Sequence, residues 1–361
     1  MVTPHDRKSR LLDETSVIKR PAVQRNNHAA SELGAGKDVL SDVLRVIKLS
    51  AALFFQVEAS SPWSVEVPES GSFAGIILPG ARHVISYHVI TSGSGWISTG
   101  EDSPLPFSEG DVLVIPHGDG YAMRHAPGHM SGLSTADSLE FFRAMAAGKL
   151  PFLVLEGGGG PALTRYVCGF LGCDSGPFNP LLGALPRLMR VPRSSNGRGD
   201  LLDRLIDIAL SEAPRQGMGA DCIRLRLSEL LFVEVVRRYL DGLPPGQTGW
   251  LAGLRDPAVG RTLAMIHGNP ARNWRLEQLA RKAGASRSVL AARFTRLVGC
   301  PPIQYLARWR VQVAANLLSE GNARISAVGR EVGYASEAAF SRSFKKIAAV
   351  SPAEWRAAGR P

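Results

Sequence analysis

Cysteine is scarce in this chain: four residues among 361 (Cys168, Cys173, Cys222 and Cys300) do not make a disulfide scaffold. No run of about 18 apolar residues occurs, so nothing reads as a membrane-spanning helix. The opening stretch MVTPHDRKSRLLDETSVIKR lacks the apolar core of a secretory signal. The expectation is a cytoplasmic protein with no membrane attachment. Apolar content of 45% and charged content of 20% are globular values, and the length allows two or more domains.

Acidic residues are scarce in one place. From Leu251 to Pro361 only 6 Asp and Glu stand against 18 Lys and Arg, a balance of +12. The other 250 residues hold 24 basic and 26 acidic groups, a balance of −2, so the chain's net +10 resides in its last third. That is the electrostatic footprint of a nucleic-acid-binding domain joined to a near-neutral one.

Residues 1–36 are polar and aperiodic and read as a disordered tail. Asp38–Phe55 passes from helical spacing (Val39, Val43, Val46, Ile47) into a strand. From Gln56 to His125 short strands alternate with Gly and Pro, the clearest at 83–91, 95–99 and 111–116. This pattern predicts an antiparallel sandwich or barrel. Here the residues resemble the cupin fold, with its motifs G-x5-H-x-H-x3,4-E-x6-G and G-x5-P-x-G-x2-H. Gly80, Gly100, Gly110, Pro116 and Gly118 keep that frame. Ser86, His88, Gly93 and Tyr121 stand at the four ligand positions. One imidazole does not hold a transition metal alone. A rearranged site using His83 and His117 is the weaker alternative, so no metal and no cofactor are expected. Ser86, His88 and Tyr121 remain as candidate lining of an effector pocket.

Thr135–Ala147 reads as a helix. The four glycines of FLVLEGGGGP suggest a phosphate cradle, but no Lys-Ser/Thr follows and Pro161 removes an N–H. A flexible turn between strands is expected there. Cys168 and Cys173 allow a redox switch, although no basic or histidine neighbour in sequence would lower a thiol pKa. Two amphipathic helices follow, one with Leu202, Leu205, Ile206 and Ala209, the other with Ile223, Leu227, Leu230, Leu231 and Val235. Their apolar faces must be covered by the barrel or by a second subunit. The second option is preferred for 221–241, which makes 201–242 a dimerisation segment after a sensor domain at 37–200. LPPGQTG (243–249) marks the domain boundary, with the linker extending to 252 and the basic domain occupying 253–361.

The basic domain repeats itself. Leu276, Leu279, Ala280, Ala283 and Gly284 match Ile325, Val328, Gly329, Val332 and Gly333 at an offset of 49. After one inserted residue, Ser286, Leu290, Phe294, Leu297 and Pro302 match Ser336, Phe340, Phe344, Ile347 and Pro352 at an offset of 50, as Tyr305 matches Trp355. Each copy has two short helices about a glycine turn, the second helix capped by serine, apolar behind and polar or basic in front: two helix-turn-helix units. Ile303–Ser319 predicts a long helix joining them, able to set both second helices on one DNA face about 34 Å apart.

The last hundred residues thus resemble the AraC/XylS family of bacterial transcription regulators. The carrying residues are Trp309–Leu318, Gly333–Lys346 and the closing Ser351–Arg356. The departures are Ala349, where the family has glycine, and Pro301, where it has serine. The N-terminal half resembles, less specifically, the cupin-type sensors of one branch of the family. The expected fold class is therefore α+β multidomain: a cupin-like antiparallel β-barrel with appended helices, then an all-α double helix-turn-helix. The resemblance places base-facing positions at Arg287, Ser288, Ala291 and Ala292, and at Glu337, Ala338 and Arg342. Arg293, Arg296, Lys345 and Lys346 are read as phosphate-contacting or solvated charges. It implies a non-enzymatic, sequence-specific transcription regulator. Its expected partners are double-stranded promoter DNA, a second copy, an unidentified small effector and, as a further candidate, RNA polymerase. A redox regulator acting through Cys168 and Cys173, and a metal-dependent cupin enzyme with a DNA-binding tail, are the rival readings.

Overall fold

A computed structural model describes residues 38–358 apart from 47–48, 82, 101, 129–133, 174–175, 193–199, 213–214, 216, 245 and 247. The tail expected at 1–36 lies outside the described residues. Helix α1 (Val39–Val46) gives way to strand β1 (Leu49–Ser60), as the spacing predicts. Then come β2 (Ser64–Val67), α2 (Ala74–Ile77), β3 (His83–Ser92), β4 (Ser94–Thr99), β5 (Leu105–Ser108), β6 (Val112–Ile115), β7 (Tyr121–Arg124), α3 (Thr135–Ala146), β8 (Leu153–Gly157), β9 (Leu163–Cys173) and β10 (Met189–Val191). A six-stranded sheet, β10-β6-β3-β9-β1-β8, encloses an apolar interior with a four-stranded sheet, β2-β7-β4-β5.

The pairing is antiparallel with one exception, since β8 runs parallel to β1 from Gln56↔Leu153 to Ser60↔Gly157. Strand β1 lies between β8 and β9, so the connection at Gly157–Gly160 must cross the end of β1. It does so in close contact. Gly158 N donates to Ser60 O and Pro62 O, at 3.1 and 2.9 Å, and Gly160 N donates to Ser61 O at 2.7 Å. A Cβ on Gly158 would sit 2.6 Å from Pro62 Cδ. The glycines form the expected turn, but it is fastened to β1 rather than loose.

Strand β3 is buried on both faces from Val84 to Ile90, with Val84 and Ile90 on one side and Ile85, Tyr87 and Val89 on the other. One face lines the interior. The other, with Ile85, Tyr87 and Val89, meets α5 (Ala220–Asp241), beside which lies α4 (Leu201–Glu212). Tyr87 reaches across to Ser228, Oη to Oγ 3.0 Å, and Gly169 leaves room for its ring. This corrects the expected use of 221–241. Leu227, Leu231 and Val235 are buried within the chain, because the outer sheet face was itself apolar and needed a cover. Only Ile223 and Leu230 of the predicted stripe stay exposed.

The remainder is helical: α6 (Trp250–Arg255), α7 (Pro257–Gly268), α8 (Leu276–Ala283), α9 (Arg287–Val298), α10 (Pro302–Glu320), α11 (Ile325–Glu331), α12 (Glu337–Ala348) and α13 (Pro352–Ala358). Trp250 and Leu251 are buried, and Trp250 Nε1 donates to Tyr305 Oη at 2.9 Å, so the helical domain begins at Trp250 rather than Gly253. One apolar core runs on from the sheet and α5 into α7–α10. Helix α1 packs on α7. Phe178 packs edge-on to Tyr305, its N–H donating to Gln312 Oε1 at 2.9 Å. The boundary seen in composition is thus bridged by direct contacts. Among the described residues no helix is long and apolar enough to cross a membrane.

Candidate nucleic-acid interface

The two predicted units have matching geometry. Helix α8 ends at Gly284 (φ 73°), where Ala285 N donates back to Ala280 O at 3.0 Å. Helix α11 ends at Gly333 (φ 94°), where Tyr334 N donates to Gly329 O at 2.9 Å. Both glycines take the left-handed conformation that such a stop requires. Ser286 then caps α9 through Val289 N (3.3 Å), and Ser336 caps α12 through Ala339 N (3.2 Å). Leu290 and Phe294 of α9, and Phe340 and Phe344 of α12, are fully buried. The units differ by a compensating pair: where one has Ala280 and Leu290, the other has Gly329 and Phe340. A Cβ on Gly329 would already lie 3.0 Å from Phe340.

Sequence reasoning missed what holds the units together. Arg310 of α10 donates to Pro270 O (2.7 Å) and Arg272 O (3.0 Å) at the start of the first unit. The same guanidinium lies over the Tyr334 ring of the second unit, 5.5 Å from its centroid. A Cβ on Gly333 would collide with the Ala271 carbonyl, so this glycine also permits contact between the units. Helix α10 has 19 residues, about 28 Å, is buried on most sides, and contributes to the cores of both units.

The presented faces are uneven. Arg287, Ser288, Ala292 and Arg296 of α9 are exposed and Ala291 half-buried; Glu337, Ala338, Arg342, Lys345 and Lys346 of α12 are all exposed. Arg287 is paired with Glu277 at 2.6 Å. Arg293 is drawn back to Asp256, the carboxylate that caps α7, so it is a structural ion pair and not a free phosphate contact. Arg296 lines a groove with Asp241 and Arg255 beside the linker. Arg342 has no hydrogen-bond or ion-pair partner among the described residues. Its counterpart 50 residues earlier is Ala292.

In the barrel, Ser86, His88 and Tyr121 do converge. Ser86 hydrogen-bonds Tyr121, whose Oη lies 2.8 Å from His88 Nε2, and His88 Nδ1 lies 3.2 Å from Cys168 Sγ. Burial lowers the His88 imidazole to about 3 and pushes the Tyr121 and Cys168 protons well up, so this chain is uncharged near neutrality. His88 and Tyr121 line an enclosed space, whereas Ser86, expected beside them, is not among its lining residues. Its further lining residue Glu156 escaped notice because nothing local in LVLEG says which face turns inward. His83 and His117 bind the carbonyls of Pro116 (2.6 Å) and Leu185 (2.9 Å) and do not converge on His88. Cys168 and Cys173 fall in different cores on opposite faces of β9. Five residues of strand separate them by about 16 Å, well beyond the ~7 Å limit for a disulfide. A Cys168–Cys173 disulfide is therefore excluded in this fold, which disfavours the redox reading.

Two family models cover most of the described chain: a cupin model matches residues 38–241 and a helix-turn-helix domain model matches 279–358. A protein of Streptomyces lividans described as an AraC-like transcription regulator is 31% identical over 324 residues, 88% of this chain and 98% of its own length. A namesake in Streptomyces antibioticus is 30% identical over 327 residues, again 88% and 98%. The transcriptional regulator AlkR of Acinetobacter baylyi is 29% identical over 322 residues, 88% of this chain and 99% of its own. With its cupin domain, repeated glycine turns and capped second helices, the chain belongs to the AraC-like family of DNA-binding transcription regulators.

Proposed function

We propose that α9 and α12 are two reading heads that enter successive major-groove segments of promoter DNA. The observation that carries this reading is the repeated unit joined by α10 and bridged by Arg310. Arg342, free and exposed, is suited to bond guanine O6 and N7 together, with Glu337 and Ala338 beside it. Ala291 and Ala292 cannot donate hydrogen bonds, so α9 meets thymine methyls and backbone, with Ser288 at its start; Arg287 joins only by leaving Glu277. Lys345, Lys346 and Arg296 attract phosphates. The two heads differ, so each chain reads an asymmetric site.

The barrel holds a small effector. It regulates by binding unequally to domain arrangements of unequal DNA affinity. A second copy docks on the exposed remainder of α4 and α5, and RNA polymerase is the recruited partner at the promoter. No reacting group is assigned, and the role is non-enzymatic. Hydroxyl-radical footprinting of the full chain on promoter DNA tests the reading. Two protected segments one helical turn apart on one face are expected, and a single segment contradicts it.

A further inference from the structure

Strand β8 inverts the usual pattern of polar outside and apolar inside. Leu153 and Leu155 face outward, 41% and 72% exposed, while Val154 and Glu156 face the barrel interior. A slip of one residue would bury the leucines and release the carboxylate to water. The β1 pairing and the fastened glycine turn prevent that slip. Glu156 Oε2 is buried with no hydrogen-bond partner. A polar group held so against its solvation marks a site kept for something other than stability.

The walls are aromatic. Phe55 lies 5.3 Å from Phe141 and 6.3 Å from Phe170, ring centre to ring centre, and Tyr166 lines the same space. His88, Tyr121, Tyr166 and Cys168 are held neutral by burial. Among the described lining residues Glu156 is therefore the one group that titrates near neutrality, and no lining side chain supplies a cation. Burial pushes its carboxyl up to about 7, as expected of an acid lacking its counter-charge.

We propose that the barrel binds a compact organic ammonium ion, its charge paired with Glu156 and its apolar body lying against the rings of Phe55, Phe141 and Phe170. This deepens the effector reading and rests on it. The unfilled space is about 30 Å³, room for one water, whereas about 150 Å³ accommodates benzene. Half-buried Phe141, on α3, is one of the lining side chains, and on this proposal its displacement makes the room. Occupancy thereby moves α3, which is fastened to β2 through Ser138 and the Glu66 carbonyl.

The test is calorimetric titration of the full chain at pH 8 with phenyltrimethylammonium, its uncharged isostere tert-butylbenzene, and benzoate. The ammonium ion should bind at least about tenfold more tightly than the isostere, and benzoate should not bind. E156Q should erase that preference while keeping the affinity for tert-butylbenzene. Equal binding of the two isosteres, an undiminished preference in E156Q, or no binding of any probe overturns the proposal. Affinity for a footprinted promoter fragment, measured in parallel, separates the two readings. Ammonium binding that leaves DNA affinity unchanged sinks the effector role and keeps the site. A DNA response to tert-butylbenzene alone sinks the ammonium site and keeps the effector role.

Discussion

At the scale of single residues, Arg342 carries the specificity argument. Arg342→Ala should cost about 1–3 kcal/mol at one base step and relax the preference there, whereas Lys345→Ala should weaken all sequences alike. Binding to a panel of single-base variants checks this; an even loss for Arg342→Ala contradicts the assignment. Ala349 is the one non-glycine residue at positive φ among the described residues, at 63°, and its counterpart Gly299 sits at 82°. The departure noted in the sequence therefore leaves the turn unchanged and loads it with strain. Ala349→Gly should raise stability by about 1 kcal/mol in thermal unfolding, and no gain would refute the strain. His88 and His267 are both depressed by burial from 6.5 to about 3. A lowered histidine is neutral and harmless above about 6.5, and its protonation in the unfolded chain erodes stability as pH falls from there toward 3. Glu156, raised from 4.5 to about 7, acts oppositely in its own window, relieving strain as pH falls from 7 to 4.5. The net expectation between pH 6.5 and 4.5 is a loss of about 1.4 kcal/mol per unit, one histidine's worth. Denaturant unfolding at pH 6.5, 5.5 and 4.5 measures it, and a flat profile contradicts it.

At the scale of elements, the exchange of Ala280 and Leu290 for Gly329 and Phe340 shows one packing solution built twice. Gly329→Ala should cost about 1–3 kcal/mol by pressing on Phe340, and adding Phe340→Leu should restore most of it. Additive losses in the double variant would show that the two sites do not share one space. The repeated units were legible in the sequence because caps, glycine stops and i, i+4 stripes are local. The partner of the α5 stripe was not legible. Leu227, Leu231 and Val235 announce an apolar face, but a single sequence does not say whether a sheet or a second copy covers it. The parallel β1–β8 pairing and the inward turn of Glu156 escaped for the same reason, since strand pairing is a long-range choice. Ser86, His88 and Tyr121 were found together because the glycine and proline frame of the barrel was recognisable around them.

At the scale of the whole molecule, cupin and DNA-binding parts share a core. Gln312 of α10, 2% exposed, receives the Phe178 N–H from the cupin side, and Gly176 packs against its amide. Helix α10 therefore joins the two helix-turn-helix units and also touches the cupin domain. Arg310 touches both units, and on the proposed reading the two heads must engage DNA as one body with a single spacing. A rigid pair gains its affinity by engaging both segments at once, and forfeits that gain when geometry forbids it. The decisive measurement is the affinity of the full chain for its footprinted site, before and after five base pairs are inserted between the two protected segments. The insertion turns the second segment to the far side of the duplex, and the account predicts a loss of about a hundredfold or more. Unchanged affinity would contradict it.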